Sequence, residues 1–266
     1  MARAIDDASV KWLAIDVGGS GIKYAIADES YELTRKGVLH TQYESHAGFI
    51  DAVGGIYDQF EGTVSGIAIS SCGELDPDTG HMFSGGTLTF NSGTNMIDSV
   101  TARCGVPVSV ENDANCALLA EARSGCLTDC RNAVALIIGT AIGGAIMIDR
   151  AIYRGSHFHS GNASFTKVDL ANPASPQLDT LNGVGALTSR YAYAAGMPVS
   201  AVDGRVFFDR IQRRDPAALE ALDTFCTSLG NFVFNLQRVL DVQAIAAGGG
   251  ISAQPIFVDR LREKAE

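Results

Sequence analysis

Two glycine-rich turns, one in each half of the chain, constrain the fold most. DVGGSGIK (16–23) and GTAIGGA (139–145) each lie between two apolar runs that are typical of β-strands. Neither turn is followed by the helix that a Walker or a dinucleotide-binding motif requires. Each half is therefore predicted to begin with a strand–turn–strand hairpin. The backbone N–H groups of such turns can hold phosphate oxygens, and glycine lets the chain approach them closely.

Apolar runs and helical spacing give the order of the other elements. Strands are predicted at 11–17, 22–28, 31–39, 64–70, 106–111, 133–138, 144–149 and 242–247. Helices are predicted at 47–60, 94–105, 113–124, 183–195, 203–213, 215–240 and from 254 onward. The segment LANPASPQLD, at 170–179, is predicted to be a loop. Because strands and helices alternate along the chain, the fold class is predicted to be α/β.

Length and composition indicate a soluble protein of two domains. The chain has 266 residues, more than one typical compact core contains. A hydrophobic content of 46% and a charged content of 19% fit a well-buried globule. The net charge of −10 argues against a nucleic-acid partner and against an anionic membrane surface.

The cysteines and the N-terminal residues favour a cytoplasmic protein. The 6 cysteines include no C-x-x-C pair, which fits reduced thiols better than a disulfide framework or a zinc site. The first residues, MARAIDDASVKW, lack the apolar core of a signal peptide. Residues 132–148 carry no charge and approach the length of a membrane span. Three glycines interrupt this segment, and Val and Ile are frequent in it, so a buried hairpin is predicted instead.

Three consecutive polar residues follow the predicted strand at 106–111 and begin the next helix. They are Glu111, Asn112 and Asp113 in SVENDANCALLAEA (109–122). Asn and Asp are among the best N-cap residues, because their side-chain oxygen accepts a bond from a free N–H of the first helical turn. One such residue is enough for a cap. Two interpretations therefore stay open from the residues alone: Asp113 caps the helix, or it is held there for chemistry.

Four motifs in this order resemble the ROK family of sugar kinases, within the actin and hexokinase superfamily. AIDVGGSGIKYAIAD and IIGTAIGGAIMIDRAIYRG resemble the family's two phosphate motifs. ENDANCALLAEA resembles its sugar motif, and IAAGGGI resembles its adenosine turn. The resemblance covers almost the entire chain and is closest to the zinc-free, β-glucoside kinase-type members. It implies two ribonuclease-H-like lobes, at 1–115 and 116–266, with a nucleotide and sugar cleft between them.

The resemblance also implies roles for individual residues. Asp16 would bind the metal of Mg·ATP, and Asp113 would be the catalytic base that accepts the proton of a sugar hydroxyl. Asn112, Asn91 and Asn162 would bind the sugar. The residues implied in ATP binding are Gly18, Gly19, Ser20, Lys23, Gly139, Thr140, Gly143, Gly144, Gly248, Gly249 and Gly250.

One motif departs from the family pattern. The family's Gly-Glu-x-Gly-His run is matched here by GNASF (161–165), so Asn162 stands where a sugar-binding glutamate is expected, and Phe165 where a histidine is expected. The cysteine-rich zinc motif that normally follows is missing from the sequence. We therefore expect no zinc, and we expect a sugar pocket that accepts a substituent at the anomeric end, as in a β-glucoside. A free hexose such as glucose, fructose or N-acetylmannosamine is the alternative substrate.

Two other functional classes share this fold. A sugar-responsive repressor would need a winged-helix domain before the first strand, which is predicted to begin at about residue 11. A non-catalytic sugar- or nucleotide-binding protein would not need Asp113. The kinase is therefore favoured, with ATP and Mg²⁺ as cofactors and a small sugar as its partner. Homodimers are expected by family resemblance, and the family's chain would continue with another strand and helix after GGGISAQPIFVDRLREKAE.

Overall fold

The computed structural model describes residues 10–18, 21–40, 44–167, 172, 174–178 and 182–266. The chain divides into two compact units, Met1–Cys116 and Ala117–Glu266. Each unit has its own sheet and its own buried core. The mixed α/β class predicted from the alternating pattern is confirmed.

A sheet of five strands forms the centre of the first unit. The strands are β1 (Trp12–Gly18), β2 (Gly21–Ala27), β3 (Leu33–Leu39), β4 (Gly66–Ser71) and β7 (Val108–Asn112). They lie in the order β3-β2-β1-β4-β7, and β1 to β3 are antiparallel neighbours. In contrast, β1, β4 and β7 run parallel, so the carboxyl ends of these three strands meet at the same edge of the sheet.

Two helices contribute to the core of the first unit. Helix α1 (His46–Tyr57) begins at an N-cap serine, Ser45, and helix α2 (Met96–Cys104) begins at Asn95. Helix α2 ends at Gly105, whose φ of 71° is a left-handed conformation that glycine adopts at little cost. Alternating apolar residues of β1 pack with the apolar residues of both helices in one buried cluster, as the period-two pattern of that strand predicts.

A small excursion between β4 and α2 has no counterpart in the sequence-based prediction. It contains β5 (Glu74–Leu75), which pairs with β6 (Met82–Ser84), and a 3₁₀ turn at Thr89–Asn91. These elements are too short for a periodic pattern to show in the sequence.

The second unit contains a sheet of four strands. It is built from β8 (Ala133–Ile138), β9 (Ile142–Ile148), β10 (Ala151–Ile152) and β11 (Ala244–Gly248), in the order β10-β9-β8-β11. The pair β8–β9 is the predicted hairpin, and β11 runs parallel to β8. The uncharged segment at 132–148 thus forms this hairpin. No helix among the described residues is long and apolar enough to cross a membrane.

Helices account for most of the second unit. After α3 (Asp113–Ser124), which spans the boundary between the units, come α4 (Val184–Ala194), α5 (Gly204–Gln212), α6 (Pro216–Leu240) and α7 (Pro255–Ala265). Asp203 caps α5, and Asp215 caps α6 with Pro216 in the first turn, where its missing N–H costs nothing. The largest apolar cluster of this unit packs these helices on the sheet.

Most predicted elements are confirmed to within two residues at each end, and one difference changes the role of two residues. Strand β9 begins at Ile142, earlier than the predicted 144–149. Gly143 and Gly144 therefore lie in the strand, paired with Ile137 and Leu136, and not in the turn.

Candidate active site

The parallel strands of the first unit bring its predicted site residues to one edge of the sheet. Asp16 near the end of β1 is in register with Ser70 of β4, which in turn pairs with Glu111 of β7. Strand β7 ends at Asn112, and α3 begins at the next residue, Asp113. The two predicted carboxylates, far apart in sequence, thus lie at the same edge.

Two neighbours hold the carboxylate of Asp16. The hydroxyl of Ser70 donates to Oδ1 at 3.0 Å, and Lys23 Nζ donates to Oδ2 at 3.1 Å. Both members of the Lys23–Asp16 ion pair are well exposed, so the pair adds little to stability. Sequence reasoning missed Ser70. A parallel register of β1 with β4 was the signal that could have found it, because that register places Ser70 beside Asp16.

Asn112, not Asp113, is the N-cap of helix α3. Asn112 Oδ1 accepts from the N–H of Ala114 at 2.9 Å and of Asn115 at 3.2 Å, which is the pattern of a capping residue. Its Nδ2 donates to the carbonyl oxygen of Gly73 at 2.9 Å. Asn112 therefore fixes the first turn of α3 and ties it to the chain that follows β4.

Glu111 braces the same turn. Its Oε1 accepts from the backbone N–H of Asn112 at 2.8 Å and from Asn115 Nδ2 at 2.9 Å. The side chains of Glu111 and Asn112 thus hold the first turn of α3, which contains Asp113 and Asn115. The first helical position, Asp113, is left with an exposed side chain whose Oδ1 accepts from the N–H of Ala114 at 2.9 Å.

The surroundings of Asp113 make its carboxylate more basic. Protein atoms packed around the group raise its pKa above the ordinary 3.8, and the negative charge of Asp16 raises the pKa further. Hydrogen bonds from Ala114 and Asn112 lower the pKa, but they do not cancel these effects. The folded state therefore binds this proton more tightly than the unfolded chain. The ionised group destabilises the fold above its pKa, and that cost disappears as the pH falls through it.

Cys116, in the first turn of α3, is not a nucleophile at neutral pH. Burial, followed by the charge of Glu111, raises the pKa of its thiol to about 11. A thiol with this pKa stays protonated at pH 7, and only the thiolate is a strong nucleophile.

Close backbone contacts connect Asn112 to Asn91 within the first unit. Gly73, whose carbonyl binds Asn112, has a φ of 100° and lies so close to Gly85 that a side chain on Gly73 would collide with the Gly85 backbone. Gly85 in turn lies beside Leu88 and Asn91, since a side chain on Gly85 would collide with the Leu88 carbonyl and crowd the Asn91 β-carbon. Cys72 Sγ donates to the Gly85 carbonyl at 3.3 Å, which also ties the chain after β4 to Gly85. Asn91 is fully buried, with 0% of its surface exposed.

Three features meet at the carboxyl end of β8 in the second unit. The turn after β8 is closed by a bond from the N–H of Gly139 to the carbonyl of Ala141, and Thr140 is exposed in it. Gly249, with φ 91°, follows the parallel strand β11 and approaches the Ile138 carbonyl too closely for a side chain. Val184 at the start of α4 donates to the Gly139 carbonyl at 2.9 Å. Gly248 ends β11, and Gly250 begins a 3₁₀ turn.

The loop with GNASF packs on the second hairpin. Gly144 and Gly161 approach so closely that a side chain on Gly144 would collide with the Gly161 carbonyl. Ser164, which sequence reasoning missed, accepts from the N–H of Ile142 at 3.2 Å and donates to the Ile142 carbonyl at 2.9 Å. These contacts place Asn162 before a short 3₁₀ turn that ends at Phe165. The Phe165 ring is 60% exposed.

Two predicted phosphate-binding residues, Gly19 and Ser20, lie outside the described residues. The described residues contain no group of three or more His, Cys, Asp or Glu side chains that could hold a metal ion by themselves. The carboxylate of Asp16 nevertheless fits Mg²⁺, because this ion is commonly held by one or two carboxylates together with waters and substrate phosphates.

The fold and the site define a protein of the actin and hexokinase type. The ROK family model matches residues 12–266, so the chain belongs to the ROK family. A β-glucoside kinase of Klebsiella pneumoniae is 36% identical over 201 residues, which are 74% of this chain and 68% of that protein. A β-glucoside kinase of Listeria innocua is 32% identical over 259 residues, which are 95% of this chain and 87% of that protein.

Solved structures share the fold along almost the entire chain. A Listeria monocytogenes protein has a TM-score of 0.88 at 28% identity, covering 96% of this chain and 88% of its own. A ROK family protein of Streptococcus pneumoniae in complex with sucrose has a TM-score of 0.85 at 25% identity, covering 96% of this chain and 86% of its own. The family, the fold and the class of enzyme expected from the four motifs, a carbohydrate kinase, are confirmed.

Replacing Asn112 with Ala should destabilise the first unit and also lower the rate of phosphorylation. The loss of the cap and of the bond to Gly73 should cost about 1–2 kcal/mol of unfolding free energy, and Asp113 should lose its fixed position. Asn95 offers a matched control, because it caps α2 and donates from Nδ2 to the Thr79 carbonyl at 3.0 Å.

Urea unfolding and kcat should be measured for both variants. Asn95→Ala should lose similar stability but retain the wild-type kcat under conditions where it is folded. Equal losses of kcat in the two variants would show that Asn112 acts only through stability.

Proposed function

We propose that the protein transfers the γ-phosphoryl group of ATP to a primary sugar hydroxyl, the O6 of a hexose or of a β-glucoside, with Asp113 as the base. The observation that carries this proposal is the position of Asp113. The residue is exposed at the first position of a helix whose start is fixed by Asn112 and Glu111. Phosphoryl transfer depends on positioning and charge neutralisation, and on one carboxylate that orients and deprotonates the nucleophile.

The raised pKa of Asp113 suits this role. A base works best when its pKa is not far below the working pH, because the proton transfer is then less uphill. In the proposed step the ionised carboxylate accepts the proton of the sugar hydroxyl as the hydroxyl oxygen attacks the γ-phosphorus, and ADP leaves. Asn112 would orient Asp113. A direct contact of Asn112 with the sugar stays a prediction.

Asp16 and Lys23 are proposed to receive the phosphate end of Mg·ATP. When bound, Mg²⁺ would neutralise part of the phosphate charge. Ser70 orients one oxygen of Asp16, and Lys23 can exchange its exposed ion pair with Asp16 for a phosphate oxygen. In the second unit, the backbone around Gly139, Thr140 and Gly248–Gly250 is proposed to bind ATP, because these glycine turns follow two parallel strands and are exposed at Thr140, Gly249 and Gly250.

The proposed sugar is one with a substituent at its anomeric carbon. Two relatives that are at least 32% identical are β-glucoside kinases, which supports this choice. Phe165 offers an exposed apolar ring on which a second sugar or an aryl group can stack. Asn162 is neutral, so a hydrogen bond missing there costs less than one missing at a glutamate.

A kinase for a free hexose is the second candidate. N-acetyl-D-glucosamine kinase of Aliivibrio salmonicida and N-acetylmannosamine kinase of Haemophilus influenzae are 24% and 25% identical to this chain. Their lower identity favours the β-glucoside. We further propose that the two compact units act as sugar- and ATP-binding lobes, and that the enzyme is a cytoplasmic homodimer without zinc.

Replacing Asp113 with Asn should lower kcat by orders of magnitude, because an amide cannot accept the proton. The fold should be unaffected, since Asn112 supplies the cap. Release of ADP, thermal unfolding and ATP affinity would be measured. Asp98→Asn, the same change at an exposed first-turn position of α2, is the control and should retain full activity. If Asp113→Asn kept a large share of the wild-type kcat, Asp113 would not be the base.

The choice of sugar can be tested with kcat/KM for glucose, methyl β-glucoside and cellobiose. The wild-type enzyme should use both glucosides. Asn162→Glu should shift the preference toward free glucose, because a half-buried carboxylate loses more when the anomeric hydroxyl that it would bind is replaced by a substituent.

Asn231→Glu, at an exposed position of α6, is the matched control and should leave the preference unchanged. A wild-type enzyme that phosphorylates glucose and neither glucoside would exclude the proposed substrate while leaving the kinase assignment intact.

A further inference from the structure

The fold of the first hairpin places a positive charge of the chain itself beside the carboxylate of Asp16. Lys23 of β2 lies directly opposite Asp16 of β1 in the antiparallel pair, so the two side chains extend from the same face of the sheet. Lys23 Nζ donates to Asp16 Oδ2 at 3.1 Å. This ion pair therefore follows from the register of the hairpin.

The two oxygens of Asp16 have partners of different kinds. Oδ1 accepts from the hydroxyl of Ser70, a half-buried and uncharged partner, at 3.0 Å. Oδ2 accepts from Lys23, whose side chain is long, flexible and 71% exposed. Exposed ion pairs are weak and are readily exchanged for other partners. Ser70 thus fixes the orientation of the carboxylate, and Lys23 is the partner that can leave.

The surroundings of this ion pair are acidic. Burial raises the pKa of the Cys116 thiol, and the charges of Glu111, Asp113 and Asp16 raise it further, so all three carboxyl groups lie near this thiol. Such surroundings attract a divalent cation, and the ammonium group of Lys23 repels it. Lys23 and a divalent cation therefore compete for Asp16 Oδ2.

We infer that Lys23 makes the binding of the metal depend on the nucleotide. Without a nucleotide, Lys23 holds Oδ2 and opposes the binding of a divalent cation. When a triphosphate binds, Lys23 turns to a phosphate oxygen, its charge is neutralised there, and Oδ2 is released for the cation that accompanies the nucleotide. This inference rests on the proposed function, since it needs Asp16 to be the metal ligand.

Lys23→Met separates this role from a purely structural one. Without nucleotide, the variant should bind Mn²⁺ roughly tenfold more tightly than the wild type, which is the effect of removing one positive charge about 5 Å from a dication in water. In contrast, the variant should bind the Mn²⁺ complex of a non-hydrolysable ATP analogue more weakly, because the phosphates lose a cationic partner. A lysine that only supports the hairpin would weaken the binding of both.

Both affinities can be measured by calorimetry and by the EPR signal of free Mn²⁺, with thermal unfolding to show that the variants are folded. Lys23→Arg keeps the charge and should bind Mn²⁺ without nucleotide as weakly as the wild type. Arg131→Met is the matched control, because Arg131 also forms an exposed ion pair, with Asp149 at 2.8 Å, and its loss should change neither affinity. The gain in Lys23→Met should shrink at high salt, which screens exposed charges.

The inference would be overturned if the wild type and Lys23→Met bound Mn²⁺ equally well without nucleotide, or if neither bound it. It would also be overturned if the substitution changed both affinities in the same direction. These measurements need neither a sugar nor turnover, so failure of the proposed function is distinguishable. A protein that shows the two opposite changes but phosphorylates no sugar would contradict the proposed function alone.

Discussion

The side chain of Asn112 is the contact on which the candidate site depends. Its oxygen caps α3, and its nitrogen binds the carbonyl of Gly73. The first bond fixes where the helix begins, and the second ties that point to the segment that follows β4. Because Gly73 and Gly85 lie too close together for a side chain on Gly73, this second bond places Asp113 relative to the segment that contains Gly85.

The negative charge of Asp16 helps to raise the pKa of Asp113, and this suits Asp113 to act as a base. Asp16 and Asp113 lie at the same edge of a sheet because β1 and β7 both run parallel to β4. Their mutual repulsion adds to the effect of the protein atoms packed around Asp113, and the pKa of Asp113 rises. Lys23 and Ser70 hold Asp16 in place. The arrangement that raises the pKa of Asp113 also leaves the Asp16 carboxylate able to bind a metal ion in place of Lys23.

The sequence was enough to predict the elements with strong periodicity and the residues inside compact motifs. The hairpins, the long helix α6 and the position of Asp113 at a helix start follow from local patterns. Long-range register was not predictable in the same way, and so Ser70 and Ser164 were missed. The true N-cap also could not be assigned, since Asn and Asp cap equally well and the boundary between β7 and α3, at Asn112 and Asp113, is seen only in the structure. Gly144 was predicted to bind phosphate. The structure adds a packing reason for this glycine, its close approach to Gly161.

The central claim, that Asp113 is a carboxylate with a raised pKa that takes the substrate proton, is tested most directly by its titration. ¹³C NMR of the Asp113 carboxyl should give a pKa above 3.8 in the free protein, and Asp16→Asn should lower that pKa by removing a neighbouring negative charge. In the wild type, kcat/KM should fall at acid pH with the same pKa, because the protonated group cannot accept a proton. A carboxyl that titrates at or below 3.8, or a kcat/KM that does not follow its titration, would contradict the account.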